Sequence, residues 1–331
     1  MRKPMAGALL VALLSIWIML LGNARYLAVP ALTLPVAKDD LQLVTRNGSS
    51  DDMPENLAGA RRGDQSGGTL RVMTYNIHYG TGVSGELDLE QIATTIRAVN
   101  ADIIGLQEVD SNFGKRSEFQ DQPRLLARYL GMHYVYGESI RVHHLFPGQG
   151  TGYYGNMILS RYPIIDAQML KLPTTWGAEA RTALKAIIAT PQGQIAVWST
   201  HLGLSHRARL EQVRSLLTAV NAEERPCVIL GDFNAVTGSP EISLMANRLQ
   251  DTGELIGNAG GTFYMAASQT MPRIDYIWLD QSLDAISHRV VPSPASDHLA
   301  VVADLVVLLK DNQPIKGNIR KGVESDAGLL H

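Results

Sequence analysis

The sequence predicts an α/β fold: two mixed β-sheets packed face to face as a sandwich, with helices on the outer faces, four layers in all. Three observations carry that expectation. Apolar runs of strand length alternate with stretches of helical period from about residue 69 to residue 309. Some neighbouring runs are joined by a tight turn, which makes a hairpin, while others are separated by a whole helix, which suits a crossover, so the sheets are mixed. The runs are also numerous enough for two sheets.

Residues 1–24 precede the fold. Arg2 and Lys3 lead into PMAGALLVALLSIWIMLLG, an uncharged run that reads as an export signal or a membrane anchor, and Gly22-Asn23-Ala24 supplies small residues suited to cleavage. The positive residues ahead of the run predict that the rest of the chain is exported, to the periplasm or another extracytoplasmic space, secreted or anchored. Residues 25–68 read as a flexible linker, because KDDLQLVTRNGSSDDMPENLAGARRGDQSGG is polar and without sustained periodicity.

The domain proper begins with the strand TLRVMTYNI, and Asp88 stands where it would cap the helix of DLEQIATTIRAV. ADIIGLQEV is a second strand, followed by a helix through QPRLLARYLG that Gly131 closes. YYGNMILSRYPI reads as a third strand, and ALKAIIATPQGQIAVWSTHL as two strands about a Pro-Gln-Gly turn. HRARLEQVRSLLTAV is a long amphipathic helix. CVILGDFNA is a strand, EISLMANRL a short helix, and RIDYIWL and LAVVADLVVLL are the last strands. Residues 310–331 contain few large apolar side chains and read as a loose tail.

Composition removes several function classes. Of 331 residues only Cys227 is a cysteine, so a disulfide framework or a cysteine-rich zinc site is excluded within one chain, and a bound metal must rest on oxygen or imidazole. A net charge of −3 lacks the basic excess of a protein that coats nucleic acid.

Six strand ends carry polar groups able to bind metal or phosphate: Asn76 with His78, Gln107 with Glu108, His201, Asp232 with Asn234, Asp275, and Asp297 with His298. Each alone is explained by the preference of Asp and Asn for turns. Together they suit one hard divalent cation, Mg²⁺ or Mn²⁺, which takes one or two protein carboxylates and completes its shell with water and substrate phosphate. A further carboxylate with an imidazole can orient and deprotonate a water, and a second imidazole can stabilise a phosphoryl group in its transition state. The residues therefore point to a metal-assisted phosphoester hydrolase.

The ordered series TYNIHYG, GLQEVD, YYGNMILSRYPI, STHLGLSHRARLEQ, GDFNA, RIDYIW and SDHLAV resembles the endonuclease/exonuclease/phosphatase superfamily over residues 69–309. That superfamily includes deoxyribonucleases, abasic-site endonucleases, neutral sphingomyelinases and inositol-polyphosphate phosphatases. The resemblance implies a two-sheet sandwich with its site at one end of the sheets. It implies Glu108 as principal metal ligand, Asn76 beside it on metal or phosphate, and Asp297 as a second metal-site carboxylate. Asp232 would orient or deprotonate the attacking water and Asn234 contact the phosphate. His298 would lie next to the scissile phosphate with Asp275 fixing its tautomer, and His201 would be a second phosphate-contacting histidine. Where abasic-site endonucleases carry an aspartate, this chain has His78, for which a supporting role behind the ligands is the expectation.

Several further residues have two readings. Asn156 is a phosphate contact or a structural turn, and Arg116 a phosphate clamp or a solvated loop arginine. Tyr153 and Tyr154 read as packing. His143 and His144 would extend the site only as a loop, and one of His206, Arg207 and Arg209 is expected to face the cleft. His133 and His288 read as passive, and Glu211 and Gln212 as part of a solvated helix face. Export and the charge balance favour a lipid headgroup or small phosphodiester as substrate, with possible membrane association through the N-terminal segment and a monomeric state. The alternatives are an extracellular nuclease on DNA or RNA, or a catalytically silent binding module of the same fold.

Overall fold

The computed structural model describes residues 41–43, 46–48, 68–144, 150–175, 177–265 and 269–308. The expected signal or anchor and the expected tail lie outside the described residues. The described strands are, in chain order, β1 (Leu41–Leu43), β2 (Arg46–Gly48), β3 (Thr69–Asn76), β4 (Ile103–Ser111), β5 (His133–His143), β6 (Thr151–Ser160), β7 (Ile164–Lys171), β8 (Thr182–Thr190), β9 (Gly193–His201), β10 (Cys227–Asp232), β11 (Gln250–Asp251), β12 (Asp275–Leu279), β13 (Leu283–Val291) and β14 (Ala300–Val307). The α-helices are α1 (Leu89–Val99), α2 (Gln122–Leu130), α3 (His206–Asn221), α4 (Pro240–Ala246) and α5 (Thr252–Ile256).

Two seven-stranded sheets form, in the orders β13-β14-β3-β4-β6-β5-β2 and β1-β7-β8-β9-β10-β12-β11. Each contains one parallel pair at its centre, β3 with β4 and β9 with β10, and the crossovers run through α1 and α3. The remaining pairs are antiparallel, so both sheets are mixed, as expected.

Side-chain alternation decides which layer each residue enters. On β3, Leu70 and Val72 join the core between the sheets, while Met73 and Tyr75 pack with Ile92 and Ile96 of α1. On β10, Val228 and Leu230 face the other sheet, and Cys227 and Ile229 pack under α3 with Val213 and Leu216. Each fully buried Leu, Ile or Val contributes roughly 1.5–3 kcal/mol. A one-residue slip would exchange both faces at once, so the register at the strand ends is strongly specified.

The helix ends follow the expected chemistry. Asp88 accepts from the backbone N–H of Gln91 at 2.8 Å, and Gly131 takes a left-handed φ of 63° after α2.

Two expectations are corrected, and two long strands went unread in the sequence. The stretch read as a linker contributes β1 and β2, which pair with β7 and β5 at the sheet edges, because an edge strand needs backbone partners rather than an apolar pattern. YYGNMILSRYPI is not one strand: β6 ends at Ser160 and β7 starts at Ile164, in the other sheet, with Pro163 in the turn between them. β5 and β13 carry polar groups on both sides of their runs, which hid them from a reading based on period.

Candidate active site

The candidate side chains meet because strand registers align them. Asp232 on β10 is paired with His201 on β9 and with Asp275 on β12, so three polar residues form one row across adjacent strands. Gly231 makes the row tight: a Cβ there would lie 2.3 Å from the carbonyl oxygen of Thr200.

The other sheet faces this row with Asn76, at the end of β3, and Glu108, within β4. Pairing of β4 with β6 skips from Leu106 to Val109, and Glu108 sits in that irregularity with φ 58°. Bulges re-aim side chains in this way and cluster next to active sites. Gln107 turns inward, accepting from Thr74 at 3.2 Å and donating to Ser199 at 3.1 Å, while Glu108 turns out to Asn76. Asn234, with φ 49°, is a second strained residue at the site.

Asn76 Nδ2 is 3.0 Å from Glu108 Oε1, 3.0 Å from Asp232 Oδ2 and 3.5 Å from His298 Nε2. Its Oδ1 accepts from the His78 N–H at 3.0 Å, so Asn76 presents N–H groups to the site. That orientation suits a phosphate oxygen better than a cation. The Asn234 N–H donates to Asp232 Oδ1 at 2.8 Å. His298 Nδ1 lies 2.9 Å from Asp275 Oδ2, and its Nε2 lies 3.7 Å from Asp232 Oδ2. Thr262 Oγ1 donates to the same Asp275 oxygen at 2.6 Å, and the Phe263 ring packs on His298 with centroids 4.7 Å apart. Ser296 ties the His298 loop to β3 by donating to the Asn76 carbonyl at 2.8 Å.

Burial and charge set the protonation states. Burial, then the neighbouring Asp275, raises the Asp232 carboxyl to about 7, with His298 opposing. Burial alone would neutralise His298, but Asp275 and Asp232 carry it up to about 10. His201 is held well below the ordinary imidazole value by burial and by Arg181. Around neutral pH the site thus combines a carboxylate able to accept a proton with an imidazolium able to donate a hydrogen bond.

Hard oxygen donors for a divalent metal are present. Asp232, Asp275 and His298 bring one ligand atom each to within 4.8 Å of one another. His298 Nδ1 and Asp275 Oδ2 are already bonded to each other, so this trio reads as a proton network before it reads as a ligand set. Glu108 and Asp297 fit a cation better: both are only half-buried carboxylates, and the charges of both bear on the Tyr79 hydroxyl. Asp297 also lies 3.7 Å from His78 Nδ1, which places His78 behind a carboxylate.

Other candidates sit elsewhere or are already engaged. Arg116 donates to both oxygens of buried Asp110 at 2.9 and 2.8 Å and stacks over Tyr79 and Phe113, each 4.4 Å from its guanidinium carbon, leaving a partly exposed edge near Glu108. Asn156 is buried and donates to the Thr182 carbonyl at 3.0 Å across the sheets, while its Oδ1 has no partner among the described residues. Tyr154 is buried beneath Arg116. His143 and His144 contact Thr151 and Asn112. His206 and Arg209 both pair with buried Glu241 of α4, and Arg207 is exposed. His288 is buried away from the site, against Thr252.

Gln212 is a correction. It is buried rather than solvated, accepting from the Gly203 N–H at 2.8 Å and donating to the Pro173 carbonyl at 3.1 Å, so it anchors the loop after His201. Helical period alone could not reveal this, because a polar residue on an inward face looks like one on an outward face. Thr262, Ser296 and Arg181 were also missed. Thr262 and Arg181 stand in no motif, Ser296 opens SDHLAV without being singled out there, and each acts through contacts distant in sequence.

Known proteins share this sequence pattern and fold. The uncharacterized protein YbhP of Escherichia coli (strain K12) is 31% identical over 181 residues, covering 50% of this chain and 67% of its own. A crystal structure of an endonuclease/exonuclease/phosphatase from Beutenbergia cavernae has a TM-score of 0.62 at 28% identity, covering 73% of this chain and 72% of its own. A mannosyl-6-phosphatase from Bacteroides thetaiotaomicron shares the fold, with a TM-score of 0.54 at 20% identity over 72% of this chain and 99% of its own. The profile of the Endonuclease/Exonuclease/phosphatase family matches residues 73–298, the span that holds every polar strand end described above, and the chain belongs to that family.

Proposed function

We propose that the protein is an exported, divalent-metal-dependent hydrolase of phosphodiester bonds, acting on a lipid headgroup or a small phosphodiester. The observation that carries the reading is the Asp232 carboxylate, held in one row with His201 and Asp275 and 3.7 Å from His298 Nε2.

Asp232 takes a proton from the attacking water, a role its value of about 7 suits. The water oxygen bonds to phosphorus and the bond to the leaving oxygen breaks. His298, kept charged by Asp275, donates a hydrogen bond through Nε2 to the phosphoryl oxygens as charge develops there. The amides of Asn76 and Asn234 orient the phosphate. Glu108 and Asp297 would hold Mg²⁺ or Mn²⁺, which when bound supplies charge neutralisation at the phosphoryl oxygens.

Export rests on the uncharged run after Arg2 and Lys3, and association with a membrane face rests on the same segment. Among the described residues no helix is long and apolar enough to cross a membrane. The net charge of −3 favours a lipid or small substrate over nucleic acid.

The full chain, purified in detergent and stripped of metal, should hydrolyse a generic phosphodiester only after Mg²⁺ or Mn²⁺ is restored. Phospholipid vesicles and plasmid DNA offered side by side separate the substrate classes, and a nuclease would lose affinity steeply with salt. No turnover of any phosphoester, with no metal binding by calorimetry, would return the protein to the binding-module reading.

A further inference from the structure

Two histidines flank Asp232, and their outer nitrogens meet opposite charges. His298 Nδ1 lies 2.9 Å from the Asp275 carboxylate, and His201 Nδ1 lies 2.9 Å from Arg181 Nη1. A guanidinium has five N–H donors, no acceptor, and does not deprotonate in proteins. It can approach a ring nitrogen at hydrogen-bond distance only if that nitrogen offers its lone pair. Nδ1 of His201 is therefore bare and the ring proton sits on Nε2, 3.4 Å from Asp232 Oδ2. Asn234 Nδ2 lies 3.0 Å from the same Nε2 and gives one of its two N–H groups to the Leu202 carbonyl at 2.9 Å. Because the ring must keep one proton and Arg181 occupies Nδ1, the second amide N–H turns aside and the Nε2–H is directed at Asp232.

The position of Arg181 is not explained by packing. It stands just before β8, only 5% exposed, with its Nε unpartnered among the described residues. A buried cation with an unsatisfied donor is costly. What holds it is Glu179 at the surface, 3.0 Å from Nη1, and the Tyr154 hydroxyl, and what it points at is the His201 ring.

We infer that Arg181 is a positioning residue that locks His201 as the neutral Nε2–H tautomer, making it a fixed hydrogen-bond donor toward Asp232 and the phosphoryl oxygen. This rests on the function proposed above. The two histidines then divide the work: the aspartate-backed ring supplies positive charge, and the arginine-backed ring supplies a donor without exchanging a proton. His201 cannot compete with Asp232 for the proton of the attacking water, because its only basic nitrogen faces Arg181.

Ring-nitrogen NMR of the full chain labelled with ¹⁵N-histidine, assigned through His201→Gln, reads the tautomer without any substrate. His201 should show a protonated Nε2 and a bare Nδ1 at neutral pH. Arg181→Lys, which keeps a cationic donor and adds no acceptor, should keep that pattern. Arg181→Met should lose it and lower kcat by about 10²-fold or more with KM little changed. Arg181→Glu, an acceptor, should move the proton to Nδ1. The inference is overturned if the wild-type ring carries its proton on Nδ1, or if Arg181→Met lowers kcat while the Nε2–H pattern persists. If Arg181→Met does not fold, Arg181→Lys, Arg181→Glu and the wild-type spectrum still decide. Since the spectrum needs no turnover, a wild-type chain that cleaves no phosphoester would count against the proposed function and leave the tautomer test standing.

Discussion

His298 and His288 are buried to nearly the same extent, 5% and 4% exposed, and each uses Nδ1 for a short hydrogen bond. One is carried up to about 10 and the other falls to about 4. Burial acts on both in the same direction, against the charged form. The difference is the partner: Asp275, with Asp232 behind it, for His298, and the neutral Thr252 hydroxyl at 2.8 Å for His288, where Arg273 adds to the burial and Asp251 opposes it. Desolvation makes a histidine sensitive to its neighbours, and the charge of the neighbour chooses the sign.

The comparison can be broken hardest at the site. His298→Gln or Asp232→Asn should lower kcat by about 10²–10⁴-fold while leaving the fold intact, measured by steady-state turnover beside circular dichroism. Near wild-type turnover in either variant would remove the assigned mechanism.

Asp275→Asn sharpens the comparison by giving His298 a neutral partner like that of His288. In the wild type, kcat/KM should rise as Asp232 loses its proton near pH 7 and fall as His298 loses its own near pH 10. The variant should move the rise to lower pH, since the Asp275 charge no longer raises Asp232, and bring the fall down toward neutral pH. An alkaline limb unmoved by Asp275→Asn would show that His298 does not set it.

At the other histidine the effect is on stability. His288 has a folded value of about 4 against 6.5 in the unfolded chain, so between these the unfolded state binds the extra proton. Stability is therefore whole above pH 6.5 and is lost progressively as pH falls through about 4, by roughly 3 kcal/mol. Urea unfolding at pH 7 and pH 4 should show that loss, and His288→Asn should reduce it. Equal acid sensitivity in both proteins would mean that His288 is not its source.

The smallest effect is expected at Gln212, whose side chain holds the His201 loop. Gln212→Ala leaves the Gly203 N–H and the Pro173 carbonyl unpaired and should cost about 1–3 kcal/mol, with a modest fall in kcat. A change in turnover without any change in unfolding free energy would contradict an anchoring role.

The strand ends were legible because the polar groups of the candidate site leave a local trace: a carboxylate, amide or imidazole directly after an apolar run, as in VILGDFN or IIGLQEV. Such residues break the pattern that burial imposes around them. Arg181, Thr262, Ser296 and Gln212 leave no such trace. An arginine before a strand or a glutamine on a helix is ordinary in sequence, and its importance comes from what faces it.

By itself the sequence determined the layers, the boundaries of most strands and helices, the absence of sulfur ligands and the residue types gathered at the strand ends, because period, turn chemistry and side-chain functional groups are local properties. Tertiary structure alone decided that Asp232 stands in register between His201 and Asp275, that Asn76 turns its amide N–H toward two carboxylates, and which histidine is charged. Those outcomes depend on distances of 3–4 Å between groups far apart in the chain, and on the low dielectric that appears only when two sheets close over them.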